Sequence, residues 1–78
     1  MAIFKISYKS DDSGRTRKIG EAPTRKEAFE LRDKKAAGII KRWGCDPEDE
    51  AAAKAEVIGS KDMWAEWNGN HFIIEKVA

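Results

Sequence analysis

Near the end of the chain, the run Asp62-Met63-Trp64-Ala65-Glu66-Trp67 meets Asn70-His71-Phe72-Ile73-Ile74-Glu75-Lys76-Val77 across Asn68-Gly69. Asn-Gly between two apolar-rich runs is the strongest short hairpin signal, because a type I′ turn needs positive φ at both central residues. With that turn, Trp67 lies opposite Asn70, Ala65 opposite Phe72 and Met63 opposite Ile74. These residues share one face, which is assigned to the core. The other face then carries Trp64 opposite Ile73 and Glu66 opposite His71.

The start of the chain predicts a second hairpin. Phe4, Ile6 and Tyr8 alternate with Lys5, Ser7 and Lys9, the period of a half-buried strand. Asp11-Asp12-Ser13-Gly14 reads as a turn. Arg15 to Gly20 returns as a short basic strand, whose charge suits a sheet edge.

Thr24-Arg25-Lys26-Glu27 matches the capping box, with the Thr hydroxyl taking the third helical amide and Glu27 reaching back. Trp43-Gly44 supplies the stop, Gly suiting the left-handed position after a helix. One long helix is therefore predicted over residues 24–43. Ala28, Phe29, Leu31, Ala36, Ile39, Ile40 and Trp43 fall on about half of its wheel. Arg32 lies in the middle of that arc, where the favoured reading is that its stem packs and its guanidinium escapes to solvent or meets an acid, and the alternative is a functional arginine held in a cleft. Gly38, inside the helix, reads as a site of close packing. Asp46-Pro47-Glu48-Asp49-Glu50 starts a second, mostly polar helix over about 47–56, with Asp46 as its cap.

The expected fold is α+β, one domain over residues 1–78. A small four-stranded antiparallel sheet in ββααββ order carries the long helix on one face. Whether the short helix covers the other face of the sheet is left open by the sequence.

Composition excludes several classes of function. Charged residues make up 37% of the chain, yet the net charge is only +1. Cys45 is the single cysteine and His71 the single histidine. They support neither a disulfide, nor a Cys–His nucleophile, nor a set of metal ligands. No phosphate loop or nucleotide fingerprint appears. No catalytic residue, metal, cofactor or small-molecule substrate is expected. No apolar run approaches the roughly 18 residues of a membrane helix, and a cytoplasmic location is expected.

The charge is unevenly placed. Residues 1–43 carry +6 and residues 44–78 carry −5. Arg15, Arg17, Lys18, Arg25 and Lys26 surround the first turn and the helix start, with Lys34, Lys35, Lys41 and Arg42 further along. Such a stretch could track phosphates. Interleaved acids, with Glu30 four residues before Lys34, favour a solvated and internally paired surface instead.

The segment YKSDDSGRTRKIGEAPTRKEAFEL, residues 8–31, resembles part of the arm-type DNA-binding domains of tyrosine integrases. That resemblance implies that Arg15, Arg17 and Lys18 meet DNA on the sheet. In size and element order the chain also resembles small phage-encoded inhibitors of the anti-CRISPR type, which occupy a surface of a protein or protein–nucleic-acid machine. The leading expectation is a non-catalytic intracellular binding protein, an inhibitor or adaptor of phage type. Its protein-binding residues would be Trp64, Ile73, Glu66 and His71, with Trp64 and Ile73 exposed if that face is uncovered. The alternative is a nucleic-acid-binding module using Arg15, Arg17, Lys18, Arg25 and Lys26.

Overall fold

The computed structural model describes residues 2–77. The elements are β1 (Phe4–Ser10), β2 (Thr16–Ala22), α1 (Arg25–Arg42), α2 (Pro47–Val57), β3 (Trp64–Trp67) and β4 (Asn70–Lys76). The four strands form one antiparallel sheet in the order β2-β1-β4-β3. Class and element order are as expected, and the basic strand β2 is an edge.

The two hairpins follow from their turns. Asn68 and Gly69 both adopt positive φ, 49° and 79°, and β3 pairs with β4 in the register the turn dictates. Asp11 N donates to Gly69 O at 2.9 Å, which ties the turn of the first hairpin to that of the second. In the β1–β2 pair the register slips between Ile6 and Ser7. Ser7 faces Lys18 and Ile6 faces Gly20, leaving Ile19 as the extra residue of a bulge.

Helix α1 begins where Thr24 Oγ1 accepts from Glu27 N at 3.2 Å. Only this half of the capping box forms among the described residues. Its buried residues are Ala28, Arg32, Ala36 and Ile40, a single row at intervals of four. Leu31 lies over Gly20, where a Cβ would come within 2.7 Å of Leu31 Cδ2. The strand thus yields space exactly where the helix crosses it, so Gly20 permits the crossing. Asp46 precedes α2 without making a side-chain cap, contrary to expectation.

Both helices lie on the same face of the sheet. Ala53 and Val57 of α2 join Ala36 and Ile40 of α1 against Ala65 and Phe72. Trp43, at the end of α1, stacks on Trp67 with ring centroids 5.5 Å apart. Phe4, Ile6, Ala22, Ala28 and Ile74 form the other part of the core, and Ile19 packs against both parts.

Arg32 is the polar exception in this core. Its side chain is fully buried, and its guanidinium makes four hydrogen bonds. Nε and one terminal nitrogen donate to Asp33 Oδ1 at 3.1 and 2.9 Å. The same nitrogen donates to Ser60 O at 2.6 Å, and the other to Asp62 O at 2.9 Å. The second carboxylate oxygen of Asp33 accepts from Gly59 N at 3.1 Å. Two adjacent residues of α1 therefore fasten the loop between α2 and β3. The guanidinium neither escapes nor lines an open cleft.

Gly38 departs from its expected role. A Cβ built there would meet nothing within 4 Å, so packing does not require a glycine. Replacing it with alanine in a helix interior is expected to raise stability by about 0.5–1 kcal/mol, as urea denaturation would measure.

Candidate functional site

The pleat of the sheet divides its residues between a helix side and an open side. Phe4, Ile6, Phe72, Ile74 and Ala65 point to the helices and are buried. Their neighbours Lys5, Ser7, Lys9, His71, Ile73, Glu75, Trp64 and Glu66 therefore form the open face. α2 does not cover that face, because its buried side chains Ala53 and Val57 serve the helix-side core.

Across the centre of the open face, the paired positions run Lys18, Ser7, Ile73, Trp64 from edge to edge. Trp64 is 57% exposed, but Ile73 is only 7% exposed. The expectation that both would be exposed holds for Trp64 alone. Ile73 sits on an inner strand between Ser7 and Trp64, and neighbours on both sides close over it. Ser7 is also buried, and its hydroxyl has no hydrogen-bond partner among the described residues.

The next row holds Trp64 in place. Trp64 Nε1–H donates to His71 Nδ1 at 2.9 Å, and the rings meet edge to face with centroids 5.8 Å apart. An indole N–H can only donate, so Nδ1 carries no proton and Nε2 carries it. Nε2 then donates to Asp11 Oδ1 at 3.0 Å. Asp11 is itself anchored to the second hairpin through Gly69 O. Glu66 turns back and accepts from Gly69 N at 3.0 Å. The turns of both hairpins thus orient one exposed tryptophan. Replacing His71 with phenylalanine keeps a ring beside Trp64 but removes both hydrogen bonds. The expected stability loss is about 1 kcal/mol or less, with increased motion of the Trp64 side chain in NMR relaxation.

The other exposed large apolar side chains among the described residues are Ile3 and Val77. They lie side by side, with Val77 N donating to Ile3 O at 2.8 Å, and strand alternation puts them on the same open face. Lys5 and Glu75, paired across β1 and β4, separate them from Trp64 and Ile73. The face therefore offers two apolar patches between charges of both signs.

The five cations singled out in the sequence are not gathered on one surface. Arg17 pairs with Tyr8 on the helix side of β2, whereas Lys18 pairs with Ser7 on the open side and forms an ion pair with Glu21. Arg15 and Arg17 together line a hollow with Tyr8, Ser13 and Thr16. Arg25 and Lys26 line a separate cleft of about 430 Å³ beside Phe29, Glu30 and Asp33, with the Arg25 guanidinium 5.8 Å from the Phe29 ring centre. The expected Glu30–Lys34 pair does not form. The salt bridges among the described residues are Lys18–Glu21, Arg32–Asp33 and Lys54–Glu50, and His71–Asp11 is a hydrogen bond from a neutral imidazole.

No group of three or more His, Cys, Asp or Glu among the described residues is placed to hold a metal ion. No described helix is long and apolar enough to cross a membrane. No protein-family model, curated protein or solved structure matches this chain.

Proposed function

We propose that this chain is a non-catalytic binding protein that docks a protein partner on the open face of its sheet, as an inhibitor or adaptor would. The observation that carries this reading is Trp64. It is a large, exposed aromatic on a strand, held in one orientation by His71 and Asp11. Tryptophan is among the residues most enriched at the energetic centres of protein interfaces. A side chain already fixed before binding loses less entropy when a partner covers it.

The surroundings favour a protein over a nucleic acid as the occupant of this face. Lys5 and Lys9 alternate with Glu66 and Glu75, a mixed rim that complements another protein's polar surface. A phosphate backbone would meet the two carboxylates as repulsion. Ile73 supports Trp64 from beneath instead of contacting the partner. The test compares folded variants as bait. A partner retained by the wild type and lost by Trp64→Ala supports the reading, while equal retention by both refutes it.

A further inference from the structure

We infer that a second surface, the cleft between β2 and α1, binds the sugar–phosphate backbone of a nucleic-acid duplex. This cleft of about 380 Å³ is lined by Arg17, Lys34, Lys35 and Arg42 around an apolar floor of Ile19 and Ile39, with Gly38 at its rim. No acidic side chain lines it. None of its four cations forms a salt bridge with another described residue. Like charges held close together without acids raise the free energy of the unbound protein and attract a polyanion.

Gly38 supplies the second, independent argument. Lys34, Gly38 and Arg42 are spaced at intervals of four, so they form one row along the helix. The row spans about 12 Å at 1.5 Å per residue. It has a cation at each end and a notch in the middle. Glycine weakens a helix interior, and here no neighbouring atom would obstruct a side chain. A notch without a packing cause, between two unpaired cations and facing Arg17 across the cleft, fits close approach of an anionic group to the helix. No aromatic side chain lines the cleft, so it lacks a platform for stacking unpaired bases. That selects the backbone of a duplex over a splayed single strand.

The position of the cleft also explains why the sequence pattern misplaces it. The bulge at Ile19 sends Lys18 to the open side and leaves Arg17 facing α1. The site therefore combines one cation of the basic strand with three from the second half of the helix. It excludes Arg25 and Lys26, which line the other cleft.

The test is fluorescence anisotropy with a labelled 20-base-pair duplex, titrated at several salt concentrations. The wild type should bind, and log K should fall linearly with log salt. Lys34→Ala/Arg42→Ala should weaken binding at least tenfold at low salt and flatten the slope by about 2, one for each lost phosphate contact. Gly38→Leu should fill the notch and weaken binding with the slope unchanged, while circular dichroism shows the helix retained. Arg25→Ala/Lys26→Ala removes the same charge elsewhere and should leave binding within twofold. An equal loss from both double variants, unchanged binding by Gly38→Leu, or equally tight binding of a labelled poly-glutamate peptide would overturn the assignment. So would the absence of duplex binding by the wild type at low salt.

Discussion

Asp33→Ala is expected to destabilise the fold by about 3–5 kcal/mol, the usual cost of removing one partner from a buried ion pair. The variant would leave the Arg32 guanidinium fully buried with only the carbonyls of Ser60 and Asp62 as acceptors. It would also remove the acceptor for Gly59 N. A domain of this size holds roughly 4–12 kcal/mol in total, at 0.05–0.15 kcal/mol per residue, so much of its stability would go. Arg32→Leu should cost less, about 1–3 kcal/mol. It removes the charge itself, leaves two loop carbonyls for water to reach, and leaves Asp33 partly exposed. Urea denaturation of the two single variants and the double variant measures the coupling directly. A loss below about 1 kcal/mol for Asp33→Ala, or a larger loss for Arg32→Leu than for Asp33→Ala, would contradict the clamp.

The second large effect concerns binding. Trp64→Ala is expected to weaken partner affinity by about 2–4 kcal/mol, the range of an interface hot spot, which corresponds to roughly 30-fold or more. Its effect on folding should be far smaller, because more than half of the side chain already faces solvent. The informative variant is the single one. Combining it with Ile73→Ala would also remove a buried side chain from between Ser7 and Trp64, and lost folding would then imitate lost binding. Isothermal titration against the purified partner, with circular dichroism of the variant as control, separates the two effects.

The hairpins and the long helix were legible because local chemistry specifies them. Asn68-Gly69 forces a two-residue turn, and the pairing of Trp64 with Ile73 and Ala65 with Phe72 follows from it. Thr24 and Gly44 mark the ends of α1 by the same kind of local demand. The face chosen by α2 was not legible. Its burial rests on Ala53 and Val57 alone, too weak a stripe to specify a side of the sheet. Arg32 was visible as an anomaly on the helix, but two of its acceptors are carbonyls 28 and 30 residues away. Backbone acceptors leave no mark in the amino-acid pattern.

The candidate sites divide in the same way. Strand parity places Trp64, Glu66, His71 and Ile73 on one face, but parity does not set exposure, and Ile73 is closed over by its neighbours. The hydrogen bonds from Trp64 through His71 to Asp11 depend on two turns meeting, a tertiary fact. The basic segment looked continuous along the chain, yet the pleat and the bulge split Arg17 from Lys18. The cations of the cleft, Arg17 with Lys34, Lys35 and Arg42, come from a strand and the second half of a helix, which are separated in sequence.

The most direct test of the central claim is quantitative capture from an extract of the source cell, using three matched baits. These are the wild type, Trp64→Ala, and the cleft variant Lys34→Ala/Arg42→Ala, each verified as folded and each used after nuclease treatment. The account predicts a protein partner retained by the wild type and the cleft variant, and depleted at least tenfold by Trp64→Ala. Equal retention by the folded Trp64→Ala variant would contradict docking on the open face of the sheet.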